Sequence, residues 1–165
     1  MSSIRVVWGA ASGPTAMASY DAALADAGVE NYNLVAVSSV IPAGVGVETV
    51  GTAPDLGPAG ERLTVVESRA TAAGDERSEA DTQVSAALAW SRDVDGGPGL
   101  FYEYGGRTDA NDAEERVRAG LAAGQELRGW QFDEPSVVCE SVDVDPGGYT
   151  TAVVLAVYGE SEPIL

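Results

Sequence analysis

The stretch Asn33-Leu34-Val35-Ala36-Val37-Ser38-Ser39-Val40-Ile41-Pro42 constrains this chain more than any other. Apolar and β-branched residues run up to a serine pair, resume for two residues and stop at a proline. A short run of this kind, ended by a breaker, reads as a buried strand. Two adjacent hydroxyls do not suit such a strand, because each needs a hydrogen-bond partner once water is excluded. Either the strand ends in a polar corner whose serines bond nearby backbone, or the hydroxyls serve chemistry.

The rest of the chain supplies strands and two helices. Ile4–Trp8 reads as a first strand, and Gly9–Thr15 as a glycine-rich turn without the lysine and spacing of a phosphate loop. Thr15–Ala27 has helical period, with Met17, Tyr20, Ala23, Leu24 and Ala27 on one face and Gly28 as the stop. Ala43–Gly60, rich in Gly and Pro, reads as a long loop. Leu63–Thr71 reads as a strand, Ala73–Asp81 as a polar turn and Asp93–Pro98 as a strong turn. Gln83–Ser91 is ambiguous, since its alanines suggest helix while Val84, Ala86, Leu88 and Trp90 alternate as in a strand. In Gly99–Gly105, alternation points Leu100, Tyr102 and Tyr104 one way and Phe101 and Glu103 the other. Thr108 is the expected cap of a helix from Ala110 to about Glu126 that buries Ala113, Val117, Leu121 and Leu127. Trp130 and Phe132 form a packed corner, and Val137–Val144 and Tyr149–Val157 are two strands joined by the hairpin turn Asp145-Pro146-Gly147-Gly148. The fold class expected is α/β, a single domain over residues 1–165, with strands apolar on both faces and therefore covered by helices.

Composition removes several functions. There is no histidine, which removes His-based triads, the usual zinc ligands and the commonest general base. One cysteine, Cys139, allows no internal disulfide and reads as a core residue. Nine basic residues face 26 acidic ones, a net charge of −17. With no basic patch, nucleic-acid binding is not expected. Scattered acids together with abundant Ala, Gly and Val suit a halophilic source, where salt screens self-repulsion, and they also attract a cationic ligand. No apolar run has the length of a membrane span or a signal peptide, so a soluble cytoplasmic protein is expected.

Carboxylates, hydroxyls and amides are left to carry any chemistry. A serine hydroxyl held against its own preceding carbonyl can attack it and turn the peptide bond into an ester. Elimination then leaves dehydroalanine, which hydrolyses to a pyruvoyl group at a new N-terminus, and a strained Ser38–Ser39 bond would assist the first step. Glu103, flanked by aromatics, is either a solvated acid or a buried one whose proton affinity is raised, as a proton donor requires. Asp21 lies beside the apolar face of the first helix and is by itself an ordinary surface acid.

Val-Ser-Ser-Val-Ile-Pro at 37–42 resembles the self-cleavage site of the pyruvoyl-dependent arginine decarboxylases of archaea and some bacteria. Three further stretches match in order: Tyr20-Asp21-Ala22-Ala23-Leu24 with Ala27-Gly28, Gly99-Leu100-Phe101-Tyr102-Glu103-Tyr104, and Leu127-Arg128-Gly129-Trp130. The resemblance runs from about residue 6 to about residue 158. It implies a layered sandwich of stacked, mainly antiparallel sheets flanked by helices, makes Gln83–Ser91 a strand, and implies a homotrimer with its active site at the contact between protomers. It implies cleavage between Ser38 and Ser39 into a short chain, 1–38, and a long chain, 39–165, that begins with a pyruvoyl made from Ser39. That covalent group, with no metal and no pyridoxal phosphate, condenses with the α-amine of arginine and accepts electrons as CO2 leaves, giving agmatine. In this reading Asp21 receives the guanidinium, Asn33 supports the shifting carbonyl as an oxyanion donor, and Glu103 donates the proton.

The chain departs from the family in a shorter N-terminus and in the small, flexible Gly44-Val45-Gly46-Val47 after the cleavage site. Ornithine or lysine therefore stays open as the substrate. The alternative is an uncleaved paralogue that binds a cationic metabolite or serves as an assembly subunit.

Overall fold

A computed structural model describes residues 3–75 and 82–165. The elements in order are β1 (Ser3–Gly13), α1 (Ala16–Ala27), β2 (Asn33–Ala36), β3 (Val40–Ile41), β4 (Gly46–Gly51), β5 (Arg62–Ala73), β6 (Gln83–Arg92), β7 (Gly99–Gly106), α2 (Ala110–Glu126), β8 (Ser136–Asp143) and β9 (Tyr149–Tyr158). They form a larger sheet in the order β2-β5-β9-β1-β4 and a smaller one in the order β3-β7-β6-β8. Pairing is antiparallel except for β1 with β4 and β2 with β5.

The layers run α1, larger sheet, smaller sheet, α2, as the expected sandwich requires. Between the sheets, Val6, Val66, Val154 and Ala156 meet Val84, Leu88, Trp90 and Phe101. On the outer face of the larger sheet, Val7, Val153, Leu155 and Val157 pack beneath Ala23, Leu24 and Ala27 of α1. On the outer face of the smaller sheet, Ala87, Ala89 and Leu100 pack beneath Ala113, Val117 and Leu121 of α2. Central strands buried on both faces lose polar alternation, which is why Gln83–Ser91 was ambiguous from its pattern. It is strand β6.

Several boundaries differ from the sequence reading, each for a packing reason. Gly9–Gly13 is not a turn but the second half of β1, paired with β9 through Tyr149. Its small residues let α1 lie directly on the strand: a Cβ on Gly9 would collide with the Ala23 carbonyl oxygen and approach Ala27 N to 2.8 Å. α1 keeps its expected cap at Thr15 and its left-handed Gly28 (φ 81°). Its Met17 is exposed, however, and Ser19 is buried, bonded to Thr151 Oγ1 at 2.8 Å. The presumed loop 43–60 contains β4, which uses the free edge of β1.

α2 is capped by Asp109, whose carboxylate accepts from Asp112 N at 2.8 Å, and not by Thr108. Leu127 is the exposed C-cap of that helix, not a core residue. The turn 145–148 forms, but β8 and β9 do not pair as a hairpin; the turn carries the chain from the smaller sheet to the larger. Cys139 is half-buried in β8, and the Trp130 and Phe132 rings pack with centroids 5.6 Å apart. Most of the expected polar turn at 73–81 lies outside the described residues.

Candidate active site

The run from Asn33 to Pro42 is not one strand. Its first four residues, β2, pair with β5 in the larger sheet, and Val40–Ile41 pair with Leu100 and Gly99 of β7 in the smaller. Val37, Ser38 and Ser39 are the crossing between the sheets. The two hydroxyls that a buried strand could not accommodate sit where the chain leaves one sheet for the other. Ser38 is exposed and Ser39 half-buried.

The backbone of this crossing and of Val40 after it is held by four hydrogen bonds. Val37 N–H donates to Val65 O (3.0 Å), Val40 N–H to Ser38 O (2.9 Å) and Phe101 N–H to Ser39 O (2.7 Å). Val40 O accepts from the Tyr158 hydroxyl at 2.8 Å. The bond from Val40 back to Ser38 closes a three-residue turn about Ser39. No non-glycine residue among those described has positive φ, so this turn belongs to the relaxed inverse γ class. The strain anticipated at the Ser38–Ser39 bond is therefore not a dihedral one. What the turn supplies instead is a donor on the Ser38 carbonyl oxygen, where negative charge develops if Ser39 Oγ attacks the carbon.

Ser39 Oγ donates to Glu103 Oε2 at 3.0 Å. Glu103 lies on the same side of β7 as Phe101, as alternation predicts, but in the single protomer it is exposed. Of the two positions expected for Glu103, the single protomer shows the solvated one. The Tyr158 hydroxyl is pushed up to about 12 by burial and then by the Glu103 charge. Tyr158 thus stays protonated and remains a donor to Val40 O throughout the ordinary pH range. Ser38, Ser39, Val40, Phe101, Glu103 and Arg128 line a cavity of about 350 Å³.

Asp21 and Asn33 lie elsewhere. They line a second cavity of about 470 Å³, formed by α1 and the entry to β2, with Tyr20, Glu30 and Tyr32. The two cavities share no lining residue. Asn33 Nδ2 donates to Gly60 O at 2.6 Å, so within the intact protomer its amide serves the loop before β5, and the donor on the Ser38 carbonyl is the Val40 backbone. Asp21 is exposed, next to Tyr20, whose hydroxyl donates to Glu67 Oε2 at 2.6 Å.

Serine at a sheet crossing, a carboxylate on its hydroxyl and a donor on the preceding carbonyl are the parts that self-cleavage to a pyruvoyl requires. Residues 3–163 match the family model described as pyruvoyl-dependent arginine decarboxylase. The chain belongs to this family. It is 53% identical over 164 residues to a pyruvoyl-dependent arginine decarboxylase of Halobacterium salinarum, covering 99% of this chain and 98% of that one. It is 35% identical over 151 residues to the corresponding protein of Pyrococcus abyssi (90% and 91% covered). To that of Methanocaldococcus jannaschii it is 32% identical over 132 residues (79% and 74% covered). The acidic composition agrees with the similarity to a Halobacterium protein. No helix among the described residues is long and apolar enough to cross a membrane.

The sequence reading missed three parts of the site. Tyr158 ends the last strand, 118 residues from the Val40 carbonyl that it holds, and no local signal links them. Arg128 lies in one of the matched stretches but was given no role there. The Val40 N–H, a backbone group, has no signature in residue type.

Proposed function

We infer that this protein is a decarboxylase that cleaves itself between Ser38 and Ser39 and converts arginine to agmatine and CO2. The observation that carries the reading is the Ser39 hydroxyl on Glu103 Oε2, in a turn whose scissile carbonyl already accepts from Val40 N–H. Glu103 orients Oγ as it bonds to the Ser38 carbonyl carbon, and the hydroxyl proton leaves to solvent. The Ser38 C–N bond then breaks, the nitrogen of residue 39 takes up a proton, and an ester links the two segments. Loss of the residue 39 α-proton expels the Ser38 carboxylate, leaving a dehydroalanine. Water converts this to the keto group and releases ammonia.

The cavity fits a pyruvoyl at residue 39: Phe101 N–H holds the carbonyl of that residue, and Glu103 faces its side chain. A pyruvoyl there supplies an electron-accepting keto group for the loss of CO2 from an α-amino acid. Glu103 donates the proton that replaces CO2 on the substrate carbon. Asp21 takes the guanidinium in a bidentate pair. Asp21 and Ser39 line separate cavities in one protomer, so in this reading the site is completed between protomers of the homotrimer that the resemblance implies. There, Asp21 and Asn33 of one protomer complete the Ser39 cavity of the next. Each protomer is a single domain cut into residues 1–38 and 39–165, and it acts in the cytoplasm.

Intact mass under denaturing conditions, after purification in high salt, tests this directly. Two chains of about 4 and 13 kDa are expected from 16.9 kDa, the larger without a free amino terminus, together with CO2 release from arginine. Ser39→Ala has no attacking hydroxyl and should stay a single inactive 16.9 kDa chain. A wild-type chain that remains whole on incubation would overturn the reading and leave a binding or assembly subunit.

A further inference from the structure

The Ser39 cavity contains a cation that neither the cleavage step nor the proton transfer uses. Arg128 lines the cavity with Ser39 and Glu103. It stands just past the C-terminus of α2, where the helix dipole favours positive charge. Its Nη1 donates to Gly124 O at 2.9 Å, and its guanidinium carbon lies 5.7 Å from the Trp130 ring centroid. These two contacts fix the group while engaging one of five N–H donors. The ion pairs among the described residues take Arg5, Arg62, Arg69 and Arg116, and not Arg128. A guanidinium in this position needs a reason, because the substrate of the reading above is itself a cation and the two would repel.

We propose that Arg128 binds the α-carboxylate of the amino-acid substrate and thereby sets which end of that substrate faces residue 39. This rests on the decarboxylase reading and deepens it. A substrate with a carboxylate at one end and a guanidinium at the other can enter the site in two orientations. Arg128 attracts the first end and repels the second, while Asp21 does the reverse. A planar guanidinium also matches a carboxylate in two parallel hydrogen bonds. The pair weakens as the carboxylate becomes neutral CO2, so it contributes to the bound ground state more than to the transition state. Arg128 is on this account a binding residue that affects KM and not kcat.

The test uses the self-cleaved enzyme and its Arg128→Gln and Arg128→Lys variants at one fixed salt concentration. Both variants should cleave fully. In Arg128→Gln the KM for arginine should rise about tenfold to hundredfold, the range for losing a charge-assisted hydrogen bond, with kcat unchanged or higher. Agmatine lacks the carboxylate, and its inhibition constant should stay within about twofold. Arg128→Lys, which keeps the charge but not the fork, should fall between. Calorimetric binding of Nα-acetylarginine, which has the carboxylate but no free amine to react, should weaken by the same factor as the KM rises. Equal weakening of arginine and agmatine overturns the proposal, as does a fall in kcat at constant KM. Failure of both variants to cleave also overturns it, by giving Arg128 to the cleavage step. A wild type that stays whole would instead remove the decarboxylase reading, and this proposal with it.

Discussion

Glu103→Gln separates two roles that one carboxylate holds. In the intact chain Glu103 accepts from Ser39 Oγ at 3.0 Å. A glutamine keeps an acceptor oxygen at that place and loses only the charge. Hydrogen bonds to charged groups contribute about 1.5–3 kcal/mol and neutral ones about 0.5–1.5. The difference, about 1 kcal/mol, slows the first step of cleavage about fivefold. Glu103 is exposed in the protomer, so solvent and salt pull the effect toward the lower end of that range. Turnover is affected differently, because an amide cannot deliver a proton. Loss of a positioned proton donor lowers rates by about 10²–10⁴. The assay is a time course of intact mass, followed by CO2 release from arginine by the fully cleaved protein. The expected result is a variant that cleaves completely and decarboxylates at least about a hundredfold more slowly. Full turnover would refute the proton-donor role. No cleavage at all would refute the argument that Glu103 mainly orients the hydroxyl, and would require its charge.

Three further outcomes follow from the packing around the site. Tyr158→Phe removes the 2.8 Å bond to Val40 O and should slow cleavage about two- to tenfold. The ratio to wild type should stay constant from pH 7 to about 10, because the hydroxyl does not ionise until about 12; a ratio that changes with pH counts against the clamp. Gly9→Val forces a side chain into the Ala23 carbonyl and Ala27 N. It should cost about 1–3 kcal/mol and lower the melting temperature by several degrees, whereas Gly129→Ala, with nothing within 4 Å, should leave it unchanged; equal melting of both variants refutes the close approach of α1 to β1. Burial, then the charges of Glu114 and Glu140, push the Cys139 thiol up to about 11 from 9.0, so at pH 8 its alkylation should run about a hundredfold slower than that of a free thiol, and a rate near the free value would mean that β8 opens.

The chemistry of this protein was legible through the four matched stretches, which decided between readings that residue types alone left open. The Ser38-Ser39 pair interrupting an apolar run, Glu103 alternating away from Leu100, Tyr102 and Tyr104, and a chain without histidine restrict the reaction through properties each residue carries wherever the backbone goes. α1 was readable for the same reason, since Thr15, the 3.6-residue period and Gly28 act within a dozen residues. What the chain could not disclose locally was which sheet each strand joins. β2 and β3 read as one strand and β8 with β9 as a hairpin, because pairing is decided by partners 29 (Asn33 with Arg62) to 154 (Ile4 with Tyr158) residues away and not by the strand's own period. The tertiary structure alone turned Ser38 and Ser39 from a strand end into a bridge between two sheets. It also brought Tyr158 to Val40 across the whole chain, set Arg128 in the Ser39 cavity, and left Asp21 and Asn33 in a cavity of their own. Backbone donors, long-range hydrogen bonds and cavity membership are properties of position in space, and no residue carries them in its identity.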